Sequence, residues 1–112
     1  MAAGDVTILG DFIPDVGGKA GIYRVMWGTV VLDGTNPTPV TLTAYMQSCE
    51  LGVANIVATG TPGDDPTQVC VSTSAAILNI EAYKTDGTDP TLLDSTNNSQ
   101  VIAWFAVGPK IR

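Results

Sequence analysis

At 112 residues the chain has the length of one domain, and 45% hydrophobic against 14% charged residues describes an ordered protein with little charged surface. Eleven acids, five bases and no His give a net charge of −6, which repels phosphate backbones and disfavours nucleic-acid binding. No stretch approaches the ~20 apolar residues of a membrane-spanning helix, and the opening "MAAGDVTILGDF" lacks the basic region and apolar run of a signal peptide, so a soluble compartment and no membrane partner are expected.

"DVTILGDF" (5–12) reads as a first strand, followed by the turn-rich "IPDVGGKAG" (13–21), whose paired glycines and Pro mark a loop. Residues 1–21 together have the composition of an arm that orders by adding a strand to another chain, with Val6, Ile8 and Phe12 as its contacts. The alternative is that 5–12 is simply the first strand of its own sheet. "IYRVMWGTVVLDG" (22–34) is the longest β-prone run and is apolar on both phases of its alternation. Tyr23, Val25, Trp27 and Val31 fall on one side, Ile22, Met26, Val30 and Leu32 on the other. Such a strand must be covered twice, once by the domain's own second sheet and once by a neighbour, so Tyr23, Val25 and Trp27 are interface candidates and a homo-oligomer is expected.

Beyond "TNPTPV" a short helical turn is expected around 42–47, then a strand in "VANIVATG" (53–60). "TQVCVS" (67–72) and "AAILNIEAYK" (75–84) form a hairpin with one wet face, since Leu78, Ile80 and Ala82 alternate with Asn79, Glu81 and Tyr83. "TLLDS" (91–95) reads as a short edge strand and "QVIAWFAVG" (100–108) as the last apolar strand. About seven short strands without a dividing linker point to an all-β, single-domain antiparallel β-sandwich or jelly roll spanning 1–112.

One pattern recurs between these strands: "GTNPT" (34–38), "GDDPT" (63–67) and "GTDPT" (87–91). In each, Pro pushes the preceding Asn or Asp to extended geometry while that side chain bonds turn amides, so the pattern reads first as turn chemistry. A cation site is the competing reading, with Asp64, Asp65, Asp86 and Asp89 as oxygen ligands, but the alternating acidic spacing of a dedicated Ca²⁺ loop is missing. The two cysteines, Cys49 and Cys70, read as free thiols, with a single bridge between them as the alternative.

Catalytic signatures are lacking: there is no His to act as base, no nucleophile–base pair and no phosphate-cradling Gly loop, so neither enzymatic activity nor a cofactor is expected. Pairing Asp64 with Glu81 as glycosidase carboxylates would suit any acidic sandwich. Tyr23, Trp27, Tyr45, Tyr83 and Trp104 would serve as a sugar-stacking platform if they met on one face. Trp27 and Trp104 lie within apolar strands, where core or interface roles are expected, which leaves Tyr83 as the glycan-contact candidate.

The phrases "MAAGDVTI", "GTVVLDGTNPTPV", "GTPGDDPT", "NIEAYKTDGTDPTLLDST" and "VIAWFAVG" together resemble small virion structural proteins of tailed phages, particularly those abundant in marine phage samples. The similarity runs through most of the chain and includes no active-site signature. It implies a non-enzymatic, capsid-associated or decoration-type subunit of the virion, present in many copies, with like subunits and other capsid proteins as partners. The alternative for a β-sandwich of this kind is a receptor-binding tail or fibre module that contacts host glycans. Cys49 and Cys70 stand outside the resemblance.

Overall fold

A computed structural model describes residues 2–16, 19–57, 68–85 and 92–111. It is all-β, as the alternation predicts, with ten strands: β1 (Val6–Phe12), β2 (Asp15–Val16), β3 (Lys19–Ala20), β4 (Tyr23–Val31), β5 (Thr38–Thr41), β6 (Leu51–Ile56), β7 (Gln68–Ser74), β8 (Ile77–Thr85), β9 (Leu92–Asp94) and β10 (Val101–Pro109). Eight of them form the two antiparallel sheets of a β-sandwich. The first sheet runs β1-β4-β10-β6, and the second runs β5-β8-β7 with β9 also on β8. The segment expected as a loop at 13–21 contains a minute antiparallel ribbon, Asp15 opposite Ala20 and Val16 opposite Lys19. Two-residue strands are too short for any alternation to announce them.

Two inward phases meet in the core. Met26 and Val30 of β4 and Ile102, Trp104 and Ala106 of β10 pack from the first sheet, and Val40, Leu78, Ile80 and Ala82 from the second, all in one buried cluster. Each alternates with a residue facing the other way, which is why the sequence periodicity of two locates them. Around 42–47 there is one turn only: the amides of Tyr45 and Met46 both donate to the carbonyl of Leu42, and the chain leaves it through a bridge between Met46 and Lys110. This turn seats the buried Leu42 and Met46 as a plug at one end of the core.

The strand expected at 5–12 belongs to its own sheet. β1 pairs with β4 from Val6 opposite Val30 to Phe12 opposite Val25, with a bulge between Ile8 and Gly10. Gly28 admits this strand closely: a methyl there would lie 1.9 Å from the Thr7 carbonyl oxygen. The far end of β1 is fixed by charge. Both Asp11 carboxylate oxygens accept from the Arg24 guanidinium, whose Nη1 also donates to the Tyr45 carbonyl at 3.1 Å and whose carbon sits 5.2 Å from the Tyr45 ring centre. Those bonds hold the Asp11 carboxyl below its ordinary range and push Arg24 further up.

Along its outer edge the second sheet carries a split strand. β5 covers Ile77–Ile80 of β8 and β9 covers Tyr83–Thr85, which leaves Ala82 opposite neither. Its two backbone groups are nevertheless taken: the Asn36 carboxamide oxygen accepts from the Ala82 amide at 2.9 Å, and the Ser95 amide donates to the Ala82 carbonyl at 2.9 Å. Ala82 is buried, so either group left alone would carry a full desolvation cost.

Candidate interaction surface

The two sheets show opposite outer faces. On the second sheet the outward phase reads Gln68, Cys70, Ser72 and Ser74 on β7 and Ile77, Asn79, Glu81 and Tyr83 on β8, which is polar apart from Cys70 and Ile77. On the first sheet the outward phase reads Thr7 and Phe12 on β1, Val25, Trp27, Thr29 and Val31 on β4, Ala103, Phe105 and Val107 on β10, and Leu51, Val53 and Asn55 on β6. None of the outward positions of these four strands carries a charge, in a chain whose net charge is −6.

Register arranges these side chains in rows across the sheet. Trp27 stands opposite Phe105, and Phe105 opposite Val53; one row along, Phe12, Val25, Val107 and Leu51 line up in the same way. Exposure is uneven: Leu51 is 57%, Val53 55%, Phe12 49% and Trp27 38% accessible, whereas Val25 at 8% and Val31 at 2% are already buried. This face is therefore the chain's candidate contact surface.

Relief on the face is not uniform. The Trp27 indole lies over Gly10, where a methyl would come within 1.9 Å of Cζ2, and meets the Phe12 ring edge-on at 5.8 Å between centres and 68° between planes. These two rings make a ridge over β1 and β4. Beside it, over β10 and β6, a shallow hollow of about 280 Å³ is lined by Val53, Ala54, Asn55, Ala103, Trp104 and Phe105.

The interface residues expected from the sequence divide accordingly. Phe12, Tyr23, Val25 and Trp27 fall on the outward phase, but Val25 is already buried in the chain's own fold and needs no neighbour, whereas Val6 and Ile8 point to the inner side of the open β1 edge and remain 39% and 37% exposed. Leu51, Val53, Phe105 and Val107 were not singled out beforehand. Their signal was the outward phase of β6 and β10, apolar where a half-wet strand would carry charge.

The aromatic platform is not assembled. Trp104 is buried in the core, Tyr45 lies beneath Arg24, Trp27 is on the dry face and Tyr83 on the wet one. The Tyr83 hydroxyl is pushed up from its ordinary range by desolvation and then by the charges of Glu81 and Asp94, so it stays a neutral phenol among acids.

Of the three Gly-Pro-Thr stretches only 34–38 falls among the described residues; Asp64, Asp65, Asp86 and Asp89 lie outside them. In that stretch the turn is held by Asp33 and the threonines, while the Asn36 side chain, expected to bond the turn's own amides, reaches across to β8 and β9 instead. Asp33 Oδ1 accepts from the amide and hydroxyl of Thr35 and from the hydroxyl of the buried Thr38, while Asn36 joins Ala82 to Asp94. Burial alone would raise the Asp33 carboxyl, but these three donors outweigh it and hold the group below its ordinary range. Both cysteines are free: Cys49 is buried, and burial pushes its thiol up, while Cys70 is half-buried on β7.

Fold and surface thus define a β-sandwich with one wet and one dry outer face. Comparison with protein-family models, with curated proteins and with solved structures finds no match to this chain.

Proposed function

We propose that this protein is a non-enzymatic structural subunit of a virion, capsid-associated or of decoration type, which works by burying its dry outer sheet face against like subunits and other capsid proteins. The observation that carries the reading is the asymmetry of the two outer faces. A subunit added to a particle surface needs one face that loses water on assembly and one that keeps it. The uncharged outward phase of β1, β4, β10 and β6 suits the first role, and the polar outward phase of β7 and β8 the second. The resemblance of the chain's phrases to tailed-phage virion proteins supplies the setting, and the glycan-contact alternative draws no support from Trp104, which is buried, or from Tyr83 and Trp27, which stand on opposite faces.

Quantitative mass spectrometry of purified particles tests this. A capsid-associated subunit is expected in hundreds of copies per particle, and Val53→Glu, which sets a charge in the middle of the dry face, is expected to drop out of particles while Ser72→Glu on the wet face is retained. A few copies per particle, or retention of the Val53 variant at full level, would contradict the reading.

A further inference from the structure

We infer that the free edge of β1 pairs with the β1 edge of a second copy of this chain, antiparallel and about a two-fold axis beside Thr7, so that two four-stranded sheets join into one. The inference goes beyond the reading above and does not depend on it, because it concerns a sheet edge where that reading concerns a face. The backbone sets what the edge offers. Val31 of β4 turns both its amide and its carbonyl to the β1 side, where the Asp5 carbonyl accepts from the first and the Gly4 amide donates to the second. Antiparallel partners alternate between bonded and unbonded pairs, so the next bonded pair is Thr7 with Thr29, and the amides and carbonyls of Val6 and Ile8 point away from β4. β1 is the last strand of its sheet, and among the described residues no strand takes them.

The other edges of the sandwich are closed or blunted. β6 and β7 lie against each other, and the outer edge of the second sheet is split between β5 and β9 and carries Pro39, which has no amide hydrogen to offer. Over Val6–Leu9 the β1 edge has no Pro and no charge, and Val6, Ile8 and Leu9 are all more than a third exposed. Such an edge is a template for another strand. Register and charge fit a second copy to it. Centred on Thr7, antiparallel pairing sets Val6 opposite Ile8 of the second copy and Ile8 opposite its Val6, bonded pairs that occupy every edge-facing group of both residues. Thr7 then meets Thr7 across the axis, a favourable cross-strand pair, and the four apolar side chains cover one another on the inner side. The neighbouring registers are worse. Centring on Val6 offsets the two Asp5 carboxylates by two residues, about 7 Å along the strands, in chains of net charge −6, whereas centring on Thr7 offsets them by four, about 13 Å and beyond the ~10 Å screening length. Centring on Ile8 runs the pairing into the bulge between Ile8 and Gly10, where the alternation breaks.

Two measurements on the full chain test this. Thr7→Cys, combined with Cys70→Ser to remove the half-buried thiol, is expected to give a covalent dimer on mild oxidation, because an unbonded antiparallel pair brings Cα atoms to ~4.5 Å, within disulfide reach. Thr29→Cys in the same background is expected to stay unlinked, since it stands opposite Thr7 one strand further in and about 14 Å, three strand spacings, would separate it from its counterpart. Sedimentation over about 10–500 µM, a range suited to so small a contact, should show the wild type as a dimer at the upper end. Val6→Pro removes an edge-facing amide and leaves the β4 ladder whole, so it should keep its strand content by circular dichroism and, losing half the edge bonds by symmetry, dimerise about 10-fold more weakly or worse. A wild type monomeric at about 500 µM, Thr29→Cys linking as readily as Thr7→Cys, or a folded Val6→Pro that dimerises unchanged would each overturn the inference; if Val6→Pro does not fold, the cysteine pair decides. A monomeric wild type whose Val6→Pro variant drops out of particles would put a strand of another protein on the edge and overturn it too. None of these outcomes touches the dry face, which Val53→Glu tests separately.

Discussion

Asn36 offers the sharpest test of how the second sheet is held, because a single carboxamide bridges the gap between β5 and β9. In Asn36→Ala the buried Ala82 amide loses its acceptor, which costs about 1–3 kcal/mol for an unsatisfied buried donor. The exposed bond from Asn36 Nδ2 to Asp94 Oδ1, 3.0 Å long, adds less than about 1 kcal/mol. The sum is about 1–4 kcal/mol, or a fall in melting temperature of roughly 4–16 °C for a domain of this size. Urea unfolding followed by tryptophan fluorescence, with calorimetry as a second probe, reads the change directly. The loss should come with an unchanged m value and an unchanged strand content by circular dichroism, since the gap lies between elements. A loss under about 0.5 kcal/mol would refute the reasoning, because it would mean that water or a shifted backbone satisfies Ala82 as well as Asn36 does.

Acid should destabilise the fold through Asp11 and Asp33, both held below their ordinary range. A depressed carboxyl contributes stability that is full above its unfolded value near ~3.9 and is lost as pH falls through the lower folded value, so thermal melts should stay level in these groups' contribution down to about pH 4 and fall below it, with Asp33→Asn flattening that limb. Melts that decline steadily from pH 7 to 4 and are unaltered by Asp33→Asn would contradict this. Toward a thiol reagent in the native state Cys70 should react well before Cys49, whose thiol is buried and pushed up, and both should react once unfolded; equal native rates would count against the core packing around Cys49. Gly28→Ala should cost about 1–3 kcal/mol by forcing β1 away from β4, measured by urea unfolding, and a neutral result would show that β1 is not closely seated.

Much of this architecture was legible because burial in a sandwich obeys a period of two. The alternation of Leu78, Ile80 and Ala82 with Asn79, Glu81 and Tyr83 located the wet face of β8, and the two apolar phases of β4 announced two faces to be covered without saying which turns inward; the structure turns Met26 and Val30 inward, buries Val25 as well and leaves Trp27 half-exposed. What sequence could not show depends on residues far apart in the chain. Nothing near Asn36 indicates that its partner is the amide of Ala82, 46 positions away, because that need arises only from where β5 ends and β9 begins. Likewise the dry face gains its extent only when register sets Val53 beside Phe105 and Phe105 beside Trp27. Residues 1–21 show the opposite case: the β-prone run 5–12 suited either donation to another chain or a first strand of its own sheet, and only the pairing with β4 decides for the second.

Hydroxyl-radical footprinting of the free chain against the chain in assembled particles tests most directly whether the dry face is the working surface. The account predicts that oxidation of Trp27, Phe12, Leu51 and Phe105 falls strongly on assembly while that of Tyr83 and the other wet-face residues is unchanged. Equal oxidation of the dry-face residues in the free and assembled states, or protection confined to the face bearing Tyr83, would contradict it.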